Sequence, residues 1–158
     1  MAALSATAGS LHGERVLWNR QRAVAVRPRP LYEFLARACD LVLPPAAGVA
    51  VCLVSDAVIA RLNHTFRRKH GPTDVLSFPA GGARGARGPA RDGFHLGDIA
   101  ISPAAARRNA RADGRSVHDE LRVLILHGVL HLAGYDHEAD QGQMNRYERR
   151  LRARLGIG

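Results

Sequence analysis

Residues 116–137 read SVHDELRVLILHGVLHLAGYDH, and this stretch decides both the fold and the chemistry. Ser116 is followed by Asp119 and then Glu120, the spacing of a capping box at a helix start. From Leu121 to Ala133 the chain is apolar nearly all round, so the predicted helix belongs in the interior. Gly134 is its expected stop. Within this helix, His127 and His131 stand four residues apart and therefore share a face, about 5–6 Å apart at Cβ. After Gly134 the chain can turn back and offer a third metal donor. On geometry, His137 and Asp136 compete for that position. Three protein ligands leave one corner of a tetrahedral site open, as in a catalytic rather than a structural zinc site. Two imidazoles in an apolar interior also need partners, and a metal supplies them.

The residue after the first histidine narrows the reaction. The zinc peptidase pattern places its glutamate base there, whereas this chain has Gly128. A metal ion also stabilises charge on a phosphoryl oxygen. Phosphodiester cleavage therefore suits a basic protein better than peptide hydrolysis. The chain is basic, with net charge +9 from 23 Lys and Arg against 14 Asp and Glu. Such a surface attracts polyanions. No run of about 18 apolar residues is present to span a bilayer, and no basic amphipathic anchor is evident. Cys39 and Cys52 each lie in an apolar stretch and read as buried free thiols, which fits a reducing compartment.

Working outward, Val16–Val26 (VLWNRQRAVAV) has an end that reads as a strand, after which Pro28 and Pro30 break the pattern. Leu31–Leu43 has helical spacing. Gly48–Ser55 is a buried strand, and Ser55 or Asp56 caps a helix striped with Val58, Ile59, Leu62 and Phe66. VLSFP at 75–79 and HLGDIAIS at 95–102 read as strands. A helix starts at Pro103 and ends at Asp113-Gly114, and a last one runs from about Gln141 to Leu155. Residues 80–93, rich in Gly, Ala and Arg, read as a mobile basic loop. The expected fold is α+β, a mixed four-stranded sheet packed with about five helices, with the metal site in a cleft. Residues 1–14 are expected to be disordered and 15–158 to form a single domain.

Four motifs carry a family resemblance: NHTFR at 63–67, PTDVLSFP at 72–79, LGDIAIS at 96–102 and HGVLHLAGYDH at 127–137. In this order they resemble the YbeY family of bacterial endoribonucleases, the ribosomal RNA maturation factors. The resemblance covers most of the chain from about residue 48 onward. It implies one divalent metal ion, preferably zinc, held by His127, His131 and His137, which favours His137 over Asp136. It places Arg67 where the family has an arginine important for activity, suited to a bidentate grip on phosphate. It implies cleavage of single-stranded RNA, in 3′-end maturation of small-subunit ribosomal RNA and in ribosome quality control. Single-stranded RNA, ribosomal RNA and the small ribosomal subunit are then the expected partners, and the cytoplasm the expected location.

Other residues enter as candidates. Asp98 is a candidate to orient a ligand histidine, as metal-bound imidazoles require. Asp74 and Ser77 are candidates to face the cleft, with Asp74 alternatively bracing the turn after Pro72. Arg84, Arg87 and Arg91 in the 80–93 loop are candidate RNA contacts. Arg146, Arg149, Arg150, Arg152 and Arg154 are either a second RNA footprint or a solvated face. Tyr135 reads as packing, and His12, His64, His70, His95 and His118 as surface residues. Two further functions compete with the metallonuclease: a ribosome-associated RNA-binding module with a structural metal, and a metal-dependent peptidase or amidase.

Overall fold

The computed structural model describes residues 13–80, 95–136 and 138–157. In chain order the elements are β1 (Arg15–Asn19), α1 (Pro28–Val42), β2 (Gly48–Leu53), α2 (Asp56–Arg67), β3 (Val75–Pro79), β4 (His95–Ile101), α3 (Pro103–Asp113), α4 (Val117–Leu132) and α5 (Gln143–Leu155). The expected α+β fold, a mixed four-stranded sheet with five helices, is what forms. Strand order is β1-β2-β4-β3, with β1, β2 and β4 parallel and the edge strand β3 antiparallel to β4.

The period of two along each strand sorts the core into two sides. Leu17, Val51, Ile99 and Ser77 lie in one cross-strand row. That side packs with α1 and α4 in the larger apolar cluster, which includes Leu31, Leu35, Leu126 and Leu130. Trp18, Cys52, Ala100 and Leu76 form the next row, and this opposite side packs against Ile59, Val58 and Leu62 of α2. All six residues of β2 are buried, as an uninterrupted run without polar side chains between two parallel neighbours should be.

Helix ends follow local chemistry. Ser55, Ser102 and Ser116 accept from the backbone N–H groups of Val58, Ala105 and Asp119 at 3.3, 3.1 and 3.1 Å, satisfying donors the first turn leaves open. Ser116 Oγ also donates to Asp119 Oδ2 at 2.8 Å. Gly114 closes α3 at φ +66°.

Three sequence expectations are corrected. The strand in 16–26 lies at the front of that stretch, Arg15–Asn19, not at its end. The end instead folds on itself: Gln21 Nε2 donates to Val24 O at 2.9 Å, while Val24 N donates to Gln21 Oε1 at 3.0 Å. A side-chain amide thus takes the place of a ladder partner. Pro28 and Pro30 do not break the pattern but open α1, because first-turn N–H groups have no intrahelical acceptor to lose. Phe66 leaves the buried stripe of α2 and is 44% exposed. At the chain start, Glu14 O already accepts from Val49 N at 3.0 Å, extending the β1–β2 edge. The remaining disorder expected for 1–14, and nearly all of the 80–93 loop, lie outside the described residues.

Candidate active site

Helix α4 is both the core and the carrier of the site. Ten of its sixteen residues are buried, yet His127 and His131 stay part-exposed on one face, as their spacing predicts. Two glycines let the helix lie close enough to the sheet. A Cβ on Gly128 would meet Ile99 Cγ2 at 2.8 Å and Cδ1 at 2.9 Å. A Cβ on Gly97 would meet Leu132 Cδ2 and Phe78 O, both at 2.6 Å. Gly128, read in the sequence as a missing peptidase base, is therefore also a packing requirement. A glutamate there would push its Cβ against Ile99 of β4, so the peptidase base has no room at this position.

The two imidazoles meet at their outer edges. His131 Nε2 stands 3.0 Å from His127 Nε2, with the rings nearly perpendicular at 74°. On the inner side, His127 Nδ1 stands 3.1 Å from Glu148 Oε2 of α5, and Arg152 donates to Glu148 Oε1 at 2.6 Å. Burial raises the Glu148 pKa, but the hydrogen bonds from His127 and Arg152 outweigh it and hold the carboxyl below its ordinary value. An ionised Glu148 accepts a hydrogen bond from Nδ1–H, which keeps the proton on Nδ1 and leaves the lone pair on Nε2.

This donor set fits a divalent metal ion. Two imidazole nitrogens bound tetrahedrally at about 2.0–2.1 Å lie roughly 3.3 Å apart, and the observed separation is within a few tenths of that. Among the described residues, no group of three or more His, Cys, Asp or Glu is placed to hold a metal. His137, the third expected ligand, lies outside the described residues, as do Arg84, Arg87 and Arg91. Asp136 is exposed, and its Oδ1 accepts from Glu138 N at 3.0 Å.

Glu148 is the residue the sequence reading missed. Its signal was a carboxylate set within the apolar stripe of Met144, Leu151 and Leu155, on a helix otherwise rich in arginine; all four side chains are buried. The carboxylate expected in that role, Asp98, instead meets His95 Nε2 at 2.8 Å. His95 is thereby part-buried and paired rather than a surface residue. Behind His127 lies a polar pocket of about 250 Å³, whose lining includes Asp74, Arg115, Glu120, Glu148 and Arg152. Asp74 braces its turn: Oδ1 accepts from Val75 N at 2.8 Å and Oδ2 from Asn109 at 3.0 Å. Ser77 Oγ reaches Gly128 O at 3.4 Å, a long contact between β3 and α4.

Arg67 is the last residue of α2 and is exposed. Its neighbour Phe66 packs edge-on against Phe78 of β3, with centroids 5.1 Å apart. The edge strand thus has α2 on one face and α4 on the other, and Arg67 and the histidines belong to the two elements that flank it.

Comparison with known proteins gives the chain its family. The family model described as endoribonuclease YbeY matches residues 18–156. An endoribonuclease YbeY of Solibacter usitatus is 43% identical over 137 residues, covering 87% of this chain and 86% of that protein. Its counterpart in Koribacter versatilis is 44% identical over 142 residues, covering 87% and 84%. A Thermotoga maritima protein solved in solution matches with a TM-score of 0.59 and 27% identity, over 89% of this chain and 88% of that one. The class these likenesses define is an RNA-cleaving hydrolase. The chain belongs to the endoribonuclease YbeY family.

Proposed function

We propose that the protein is a single-strand-specific endoribonuclease dependent on one divalent metal ion, preferably zinc, held by His127, His131 and His137. The observation that carries this reading is the 3.0 Å approach of the His127 and His131 Nε2 atoms, with Glu148 behind His127. A divalent ion supplies an acidified water and neutralises charge on a phosphoryl oxygen. The chain's own groups do the rest. Glu148 keeps His127 in the tautomer that can bind, and the buried helix α4 holds both imidazoles at fixed separation. Arg67 binds the phosphodiester through its planar fork of donors and balances negative charge as it develops. The loop arginines Arg84, Arg87 and Arg91 extend the hold on RNA.

The role we assign is 3′-end maturation of small-subunit ribosomal RNA, together with ribosome quality control, in the cytoplasm. Family membership and the basic surface support it, as do two buried free cysteines. Residues 15–158 act as one domain in this reading. No helix among the described residues is long and apolar enough to cross a membrane.

The test offers purified protein a single-stranded RNA, a duplex and a peptide, each with and without chelator. Cleavage of the single strand alone, lost on chelation and in His131→Ala, is the expected result. Full cleavage after chelation would overturn the metal mechanism. Loss of melting temperature on chelation, with Arg67→Ala still fully active, would indicate a structural metal instead.

A further inference from the structure

Gly134 ends α4 at φ +97°, and Tyr135 follows with its N–H donating to Leu130 O at 3.1 Å. That bond fixes Tyr135 to the helix end, four residues past His131 and two before His137. Its ring is not absorbed into the core. It remains 37% exposed and lies 5.3 Å, centroid to centroid, from Tyr147 of α5 at an interplanar angle of 42°. Arg150 in turn stands over Tyr147, 5.8 Å from its centroid. Arg146, Arg149, Arg150 and Arg154 are all exposed along the same helix. A part-exposed ring leaning on a second aromatic and set beside arginines has the parts with which proteins hold unpaired bases: a ring to stack on and cations to follow the phosphates.

We propose that Tyr135, supported by Tyr147, is a stacking platform for one unpaired nucleobase next to the scissile phosphate. Arg150 and its exposed neighbours on α5 take the adjoining phosphates. The inference rests on the reading of the histidines as the cleavage centre and adds to it a reason for single-strand preference. A base inside a duplex has no free face to offer, whereas any unpaired base does. Sequence tolerance follows, because every base has a π-face.

The test uses metal-loaded full-length protein and a set of short single-stranded RNAs, each with one abasic position. Tyr135→Ala is expected to raise KM about tenfold on intact RNA, with kcat and metal content little changed. Tyr135→Phe should recover the lost KM, while Tyr135→Leu, which keeps apolar contact with Tyr147 without a flat face, should not. On the RNA whose abasic position falls at the platform, the wild-type protein and Tyr135→Ala should bind equally. An unchanged KM in both Tyr135→Ala and Tyr135→Leu would overturn the platform. So would loss of bound metal, or an equal penalty at every abasic position. Binding of uncleavable RNA by His131→Ala separates this idea from the reading beneath it. A Tyr135-dependent affinity there supports the platform even if the histidines prove not to be the cleavage centre.

Discussion

Glu148 Oε2 lies 3.1 Å from His127 Nδ1, and the same carboxylate is held from its other side by Arg152. A carboxylate buried this deeply is stable only with partners, and it has one cation and one imidazole. Its consequence concerns metal affinity. Glu148→Gln should bind zinc about 10–100-fold more weakly, read by competition with a chromophoric chelator. The far-ultraviolet circular dichroism should stay that of the wild type. Unchanged zinc affinity would remove Glu148 from the site.

Gly128 bears on the packing beneath the histidines. Its missing side chain leaves α4 in contact with Ile99, so Gly128→Ala should cost about 1–3 kcal/mol through overpacking. Gly128→Glu should cost more and gain no peptidase activity. Urea unfolding measures the first and a peptide substrate the second. An Ala variant as stable as the wild type would show that α4 is free to shift.

Asp56 connects α2 to α3. Its Oδ1 accepts from Ser102 Oγ at 2.6 Å and its Oδ2 from Arg108 at 2.8 Å. The Arg108 hydrogen bond, joined by that from Ser102, lowers its pKa despite some burial. A carboxyl whose pKa is depressed by folding adds stability above its unfolded pKa of about 3.9, and that stability fades as pH falls through the folded value. Asp56→Asn should therefore be less stable by about 1 kcal/mol at pH 7, discounted for partial exposure. The gap should close below about pH 4. A difference that stays constant down to pH 2 would contradict the ion pair as its source.

Cys39 and Cys52 are both buried. Burial pushes the Cys39 thiol up to about 12, and raises that of Cys52 in the same way. The thiolate is the reactive form, so neither residue should be alkylated by iodoacetamide in the native protein at pH 8. Both should react in urea. Rapid native labelling of Cys52 would mean that the α2 side of the sheet opens readily.

The elements most legible in the sequence were those whose signals are local. Ser116, Gly134 and the apolar run between them define α4, and the unbroken run without polar side chains at 48–53 defines β2. The ends of 16–26 and the prolines at 28 and 30 were misread because their outcome depends on a side chain, Gln21, or on position within a helix turn. The site divides similarly. His127 and His131 share a face by helical geometry alone, so their meeting is written in the spacing. Glu148 reaches His127 only through the packing of α5 on α4, and no spacing within one element encodes that. Asp98 shows the converse: a plausible carboxylate that pairs with the imidazole of its strand neighbour, His95.

Because α4 is buried along most of its length, the backbone that presents His127 and His131 has no cheap local opening. Its amides should exchange with solvent only when the whole structure unfolds. The paired imidazoles then persist for as long as the fold does, and are lost with it in one cooperative event.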